Sequence, residues 1–309
     1  MTAVYAADDP RSQLGVDAAA TRAVGDDVLP FQHYELDRSA HAASTDRGSR
    51  TWVVRAQNVV VAWTELVAGD ALERQDVDEV MLLVLSAAGP VEVETDDERV
   101  AVEAMGIVIV PPGRWRISTA GDARVLRLHA TSASDLLELA VNRELYEPAP
   151  ASIAKQAPWP PPRGGDRLRV YADLEDIEQS PDRMGRIFRN RHVMVNVLYP
   201  RVGPRDPRAL SPHDHDDFEQ LSIAYEGTYV HHIRAHWGKD RTQWRADEHV
   251  VSASPSIAVI PPPLVHTSEA VGDAANCMVD VFAGPRADFS ARPGWVLNAA
   301  DYPEPEAGE

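Results

Sequence analysis

The densest run of metal-ligating side chains is Ser211-Pro212-His213-Asp214-His215-Asp216-Asp217-Phe218-Glu219-Gln220. Two histidines one residue apart project to the same face of an extended chain, because side chains alternate with a period of two. Two imidazoles on one face can take neighbouring positions around a single divalent ion. A third donor must come from elsewhere, and the next strand, opening at Glu219 or Gln220, carries an oxygen ligand at either position. His266, which follows the turn Pro261-Pro262-Pro263-Leu264-Val265, is a fourth. A histidine pair beside acidic residues is also an ordinary polar turn, and a lone histidine is more often packed or solvated. The conjunction of all of them points to a metal.

Other polar residues lie close to this run. His231 and His232 sit on the following strand and must face opposite ways, so one points inward as a candidate general acid or base. Tyr229 shares the parity of His231. Arg234 shares that of His232 and would clamp a substrate carboxylate if that face is inside. His236, Trp237, Trp244 and His249 fall in an expected edge loop, where Trp237 could wall a substrate pocket. Asp214, Asp216 and Asp217 could orient the imidazoles as acceptors, although such acidic loops are commonly just solvated.

The elements that must carry these groups are short β-branched runs: Asn58–Trp63, Glu79–Leu85, Val91–Thr95, Ile107–Val110 and Val125–Leu128, then His192–Tyr199, Gln220–Tyr225, Thr228–Ile233, Ile257–Ile260 and Cys277–Phe282. Gly, Pro and Asp turns separate them, so an antiparallel sandwich or barrel is expected. One helix is expected over Ser132–Leu145. Gly106–Arg116 aligns with Ser256–His266, each a short apolar strand followed by Pro-Pro and a polar residue, which indicates an internal repeat. The proline-rich stretch 148–166 suits neither helix nor central strand and reads as a linker. The expected division is therefore 1–147, linker 148–166, and 167–309.

Composition bounds the function. The chain has 309 residues and a net charge of −18, which repels nucleic acid and anionic membranes. The single cysteine, Cys277, cannot close an intrachain disulfide or build a thiolate zinc site alone. Met1–Pro30 carries Asp8, Asp9, Asp26 and Asp27 and no apolar run, so it does not read as a signal peptide. The expectation is a cytoplasmic protein.

The two motifs resemble those of the cupin superfamily, and specifically a bicupin. Two histidines one residue apart (His213, His215), an oxygen ligand shortly after, and a glycine seven residues beyond it (Gly227) match the first motif, with Gln220 in the third-ligand place and Glu219 as the alternative. Pro261 and His266 match the second, with Pro263 in place of its glycine. The resemblance implies an all-β fold of two tandem jelly-roll barrels and one divalent ion held by His213, His215, Gln220 and His266. Fe(II) is the first choice, with Mn, Ni, Co or Zn also suited. It implies no metal in the first barrel, where Leu72, Arg74, Glu79 and Arg116 align with His213, His215, Gln220 and His266; Arg74, Glu79 and Arg116 would form a charged cluster instead. The implied function is a metal-dependent enzyme on a small polar molecule, in the first instance an Fe(II) dioxygenase. A non-redox isomerase, lyase or decarboxylase and a non-catalytic small-molecule-binding cupin are the alternatives. The family also implies a homodimer.

Overall fold

A computed structural model of the chain describes residues 28–305. The expectation that Met1–Pro30 is no signal peptide falls mostly on residues outside these. No helix among the described residues is long and apolar enough to cross a membrane.

The described chain is almost entirely antiparallel β-structure in four sheets. The first half builds a large sheet in the order Arg169–Tyr171, Gly106–Val110, Val80–Ala87, Ala123–His129, Val60–Leu66, Arg50–Arg55 and Ala43–Ser44. Facing it is a small sheet of Ala71–Asp76, Gly113–Thr119, Val91–Thr95 and Arg99–Val102. The second half repeats this plan. Its large sheet runs Gln32–Glu35, Ser256–Ile260, Gln220–Glu226, Ala275–Phe282, Met194–Leu198 and Gly185–Arg189, with Arg201–Val202 attached to Ala275–Phe282. Its small sheet is Glu248–Ala253, Thr228–Arg234 and Val265–Ala270.

Alternation decides what each side chain meets. On the strand Val80–Ala87, Val80, Leu82 and Val84 face the small sheet and join Val93, Trp115 and Ile117 in one core. Met81, Leu83 and Leu85 face the other way and join Leu221, Ile223, Val259 and Val281 of the second half in another. Both faces are apolar, which is why this strand reads as a continuous hydrophobic run rather than an alternating one. The two large sheets are thus packed back to back through the largest core of the molecule.

The halves also share strands. Gln32–Glu35 pairs with Ser256–Ile260, and Arg169–Tyr171 pairs with Gly106–Val110, so each half completes a sheet of the other. Between these strands the stretch 148–166 is irregular, as its prolines require, but it is anchored. Asn58 donates to the Ala154 carbonyl, and Trp159 and Arg191 exchange two hydrogen bonds.

A second repeat, missed in the sequence, joins the halves. Asn142-x-x-x-Tyr146 and Asn298-x-x-x-Tyr302 have the same spacing and the same contacts. The Asn142 amide brackets the backbone of Arg55, and the Asn298 amide that of Arg189. The Tyr146 hydroxyl donates to Glu219 across the interface at 2.7 Å, and that of Tyr302 to Glu79 at 2.9 Å. Each carboxylate also accepts a backbone amide from the opposite half, from Gln57 and Arg191 respectively. A buried carboxyl group with two donors is a tolerable core residue, whereas one left bare is costly.

Three local expectations are corrected. The helix is only Ser134–Leu139, followed by a 3-10 turn at Arg143–Tyr146, and no side chain caps it because Ala133 stands at the N-cap position. His213 and His215 lie on an irregular segment, not a strand; one isolated bridge ties His213 to His266. Several strands had no apolar signature, among them Ala71–Asp76 and Glu248–Ala253, because their outer faces are polar.

Candidate metal centre

The bridge between His213 and His266 is reciprocal: each backbone amide donates to the other's carbonyl. It brings the segment 211–219 over the start of the strand Val265–Ala270. The Gly227 turn closes the hairpin beyond Gln220–Glu226. Its φ is +85°, and a Cβ there would meet the Ala275 carbonyl at 2.6 Å, so only glycine fits.

Three imidazoles converge at this crossing. One nitrogen from each of His213, His215 and His266 lies within 4.8 Å of the others, and all three residues are buried. The Nδ1 of His213 faces the Ser211 carbonyl at 3.0 Å and that of His266 faces the Leu264 carbonyl at 2.9 Å. A carbonyl only accepts, so Nδ1 carries the proton in both rings and Nε2 keeps its lone pair. His215 is stacked on Phe218 and edge-on to Phe282, and the Arg286 guanidinium covers both phenyl rings. Its Nε2 lies 3.0 Å from Oε1 of Gln220. Tautomers fixed by carbonyls, rings fixed by packing and an amide oxygen beside them suit a divalent ion of borderline hardness. These four residues would hold it.

The alternative ligand is turned away. Glu219 faces the interface between the halves, where Tyr146 and the Gln57 amide occupy its oxygens. Burial pushes its carboxyl group up to about 7, and the two donors oppose that rise.

A cavity of about 590 Å³ opens beside the centre. His213, Gln220, His266, Ser268 and Asp280 line it, with Arg201 and Arg205 on its wall. Arg205 braces the approach to His213 through the Ala209 carbonyl and the Ser211 hydroxyl. Ser222, Ser268, Asp280, Arg201 and Arg205 were not singled out from sequence. Only the inward parity of Ser222 and Asp280 on apolar strands could have flagged them.

The remaining sequence candidates divide. His231 faces inward and is buried, with Nδ1 2.9 Å from the Ser268 hydroxyl. Burial, with neighbouring imidazoles, pushes it down to about 3, so it is neutral at pH 7. Tyr229 also faces inward but packs in a core with Ala224, Ala270 and Met278. His232 faces outward to His249 and Glu269. Arg234 is not a substrate clamp in the cavity: it is on the outer face, with its guanidinium engaged by Asp247. Trp237 does not wall the cavity. It is 65% exposed and stacked on Trp244, because the loop carrying both swings outward. Asp214 accepts from His236 rather than orienting a ring of the triad through that bond.

In the first half the register corrects the expected alignment. Val110 pairs with Val80 just as Ile260 pairs with Gln220, so Val80 occupies the amide's place and Glu79 matches Glu219. The turn before His266 is one residue longer than its counterpart, so His266 matches inward-facing Trp115. Arg116 faces out to Glu73 and Glu94. Arg74 stands across from Trp115 as His213 does from His266, and Asp76 rather than Arg74 then matches His215. The expected cluster of Arg74, Glu79 and Arg116 does not form. A different one does: Asp76 accepts from Arg74, from Trp115 Nε1 at 2.8 Å and from His129 Nδ1 at 3.2 Å. The only group of three or more potential ligands among the described residues is the His213–His215–His266 set.

This cluster predicts a pH response. Burial pushes His129 from 6.5 down to about 4, opposed by Asp76. The unfolded chain therefore takes up this proton first, so the stabilisation is complete above pH 6.5 and is lost as pH falls through 4. The loss should approach about 3 kcal/mol. Urea midpoints between pH 7 and pH 4 are expected to fall less in His129→Gln than in wild type; equal slopes would remove His129 from the account.

Comparison with known proteins agrees with the architecture. No protein-family model matches the sequence, and no curated protein matches it. Among solved structures, an oxalate decarboxylase is similar with a TM-score of 0.52 at 12% identity, over 87% of this chain and 79% of that one. AerE from Microcystis aeruginosa gives 0.51 at 10% identity, over 83% of this chain and 99% of that one. Oxalate decarboxylase from Lactobacillus farciminis, in a formate complex, gives 0.50 at 10% identity over 87% and 88%. At such identities the likeness speaks for fold alone, and that fold is an all-β jelly roll.

Proposed function

We propose that the chain is a mononuclear metal-dependent enzyme acting on a small anionic organic molecule. The carrying observation is the convergence of three imidazoles, those of His213 and His266 with their tautomers fixed by carbonyls, and an amide oxygen at the edge of a polar cavity with Arg201 and Arg205 on its wall. When bound, a divalent ion would supply Lewis-acid polarisation of a substrate oxygen. The chain's own part is positioning. Arg201 attracts the substrate's negative group against the acidic net charge of the surface. Ser268, tied to neutral His231, presents a hydroxyl to the cavity. The Phe218–Phe282 wall and Arg286 keep water from the far side of His215.

Non-redox lyase, decarboxylase or isomerase chemistry is the preferred class, because four neutral donors leave most of the ion's charge for the substrate. Dioxygenase chemistry with Fe(II) is the second reading; the cavity, with room for an organic substrate and dioxygen together, favours it. The test is a screen of short mono-, di- and hydroxy-carboxylic acids against protein reconstituted with Zn(II), Mn(II) or Fe(II), with and without oxygen. Anaerobic turnover with a redox-inert ion is expected, with a KM raised at least about 10-fold in Arg201→Ala. Turnover confined to Fe(II) and oxygen would select the second reading. No binding of any acid to the metal-loaded protein would sink both.

A further inference from the structure

An amide ligand has a problem that a carboxylate lacks: only one of its two ends can bind a cation. The oxygen has lone pairs, while the amino group offers only donors. Resting on the metal reading above, we propose that Asp280 and Ser222 set which end of Gln220 faces the imidazoles.

Gln220, Ser222 and Asp280 share the inner face of two adjacent strands, with Ser222 directly opposite Asp280. The Gln220 amino group donates to Asp280 Oδ1 at 3.2 Å and to Ser222 Oγ at 3.1 Å. Ser222 Oγ donates in turn to the same Oδ1 at 2.7 Å. An ionised carboxylate can only accept, so it anchors the amino end and directs Oε1 toward His215. Rotating the amide by half a turn would press oxygen against carboxylate and aim two N–H groups at the ion. The same bonds draw electron density toward Oε1, which makes the amide a better donor than a solvated one.

The internal repeat supports the assignment independently. In the first half, where the described residues form no such triad, the corresponding positions are Val80, Leu82 and Arg127, the last paired with Leu82 as Asp280 is with Ser222. Amide, hydroxyl and carboxylate are all replaced together where the imidazoles are missing. A purely structural polar trio would have no reason to follow the histidines.

Asp280 is thus a positioning residue, and a cycle with Gln220→Glu separates this role from general structural support. The readout is Co(II) or Mn(II) affinity by titration, with the Co(II) visible spectrum reporting the ligand set. Asp280→Ala is expected to weaken binding about 10- to 100-fold in the Gln220 background and to alter the spectrum. In the Gln220→Glu background a carboxylate needs no orienting and sits against a like charge, so the same Asp280→Ala change should leave affinity unchanged or raise it. Ser222→Ala, a smaller change, should give a smaller loss of the same sign pattern. Equal losses in both backgrounds, or undiminished affinity with an unaltered spectrum in Asp280→Ala, would overturn the assignment. Failure of the wild-type chain to bind either ion would instead overturn the metal reading, and this assignment with it.

Discussion

His266→Ala and His213→Ala should each abolish stoichiometric metal binding, with affinity reduced by more than about 100-fold. A full ligand is lost in each case, and loss of a mere supporting partner already costs 10- to 100-fold. The two residues also hold each other through their backbone bridge, which alanine preserves, so folding should survive. Elemental analysis of purified protein, backed by calorimetric titration with Mn(II) or Zn(II), measures the effect. Wild type should carry about one ion per chain and the variants almost none. Undiminished metal content in both variants would show that the ion, if present, is elsewhere. Ligand-induced stabilisation provides a second measure, since excess metal should raise the unfolding midpoint of wild type alone.

Asp76→Ala should cost about 3–5 kcal/mol of stability without touching the metal centre. Asp76 is the common acceptor for Arg74, Trp115 and His129, and those partners hold its carboxyl group well below the usual carboxylate range even though burial opposes them. Arg127, fully enclosed nearby, is pushed down to about 10 by desolvation and by Arg74, with Asp76 opposing the shift. Removing the carboxylate would leave two guanidinium groups facing each other's field, with an indole N–H and an imidazole stripped of their acceptor. Denaturant unfolding checks the magnitude, and metal titration of the same variant checks that the second half is intact. A change below about 1 kcal/mol would mean that the cluster is solvated and not a structural replacement for the ion.

The first half shows how a motif alignment can be right in kind and wrong in detail. The expected alignment put Leu72 and Arg74, which are not ligands, in the places of His213 and His215, whereas the register puts Arg74 and Asp76 there. Of the expected charged cluster, only Arg74 was readable as a member of the one that forms. Its partners were not, because sequence spacing cannot show that one turn is a residue longer than its repeat. That single residue moves Arg116 to the solvent face and Trp115 to the interior, since a slip of one inverts every side chain on a strand.

The C-terminal candidates teach the same lesson from the other side. His231 and His232 had to face opposite ways, and they do, but parity gives no sign of which is inside. The small sheet's packing against the large one, Tyr229 on Ala224 and Met278 and Ile233 on Ile260, decided that, and with it the outward placement of Arg234. Trp237 depended on the course of a loop that no periodicity governs.

The residue sequence by itself determined the β-rich fold class, the places of the apolar strands and the candidate ligand types, because apolar periodicity and donor chemistry are local properties. Tertiary structure decided that Gln220 rather than Glu219 faces the imidazoles, that Asp280 and Ser222 stand behind it, and that each half completes the other's sheet. Those outcomes depend on strand register and on partners more than fifty residues away, where pairing geometry rather than composition sets which side chains meet.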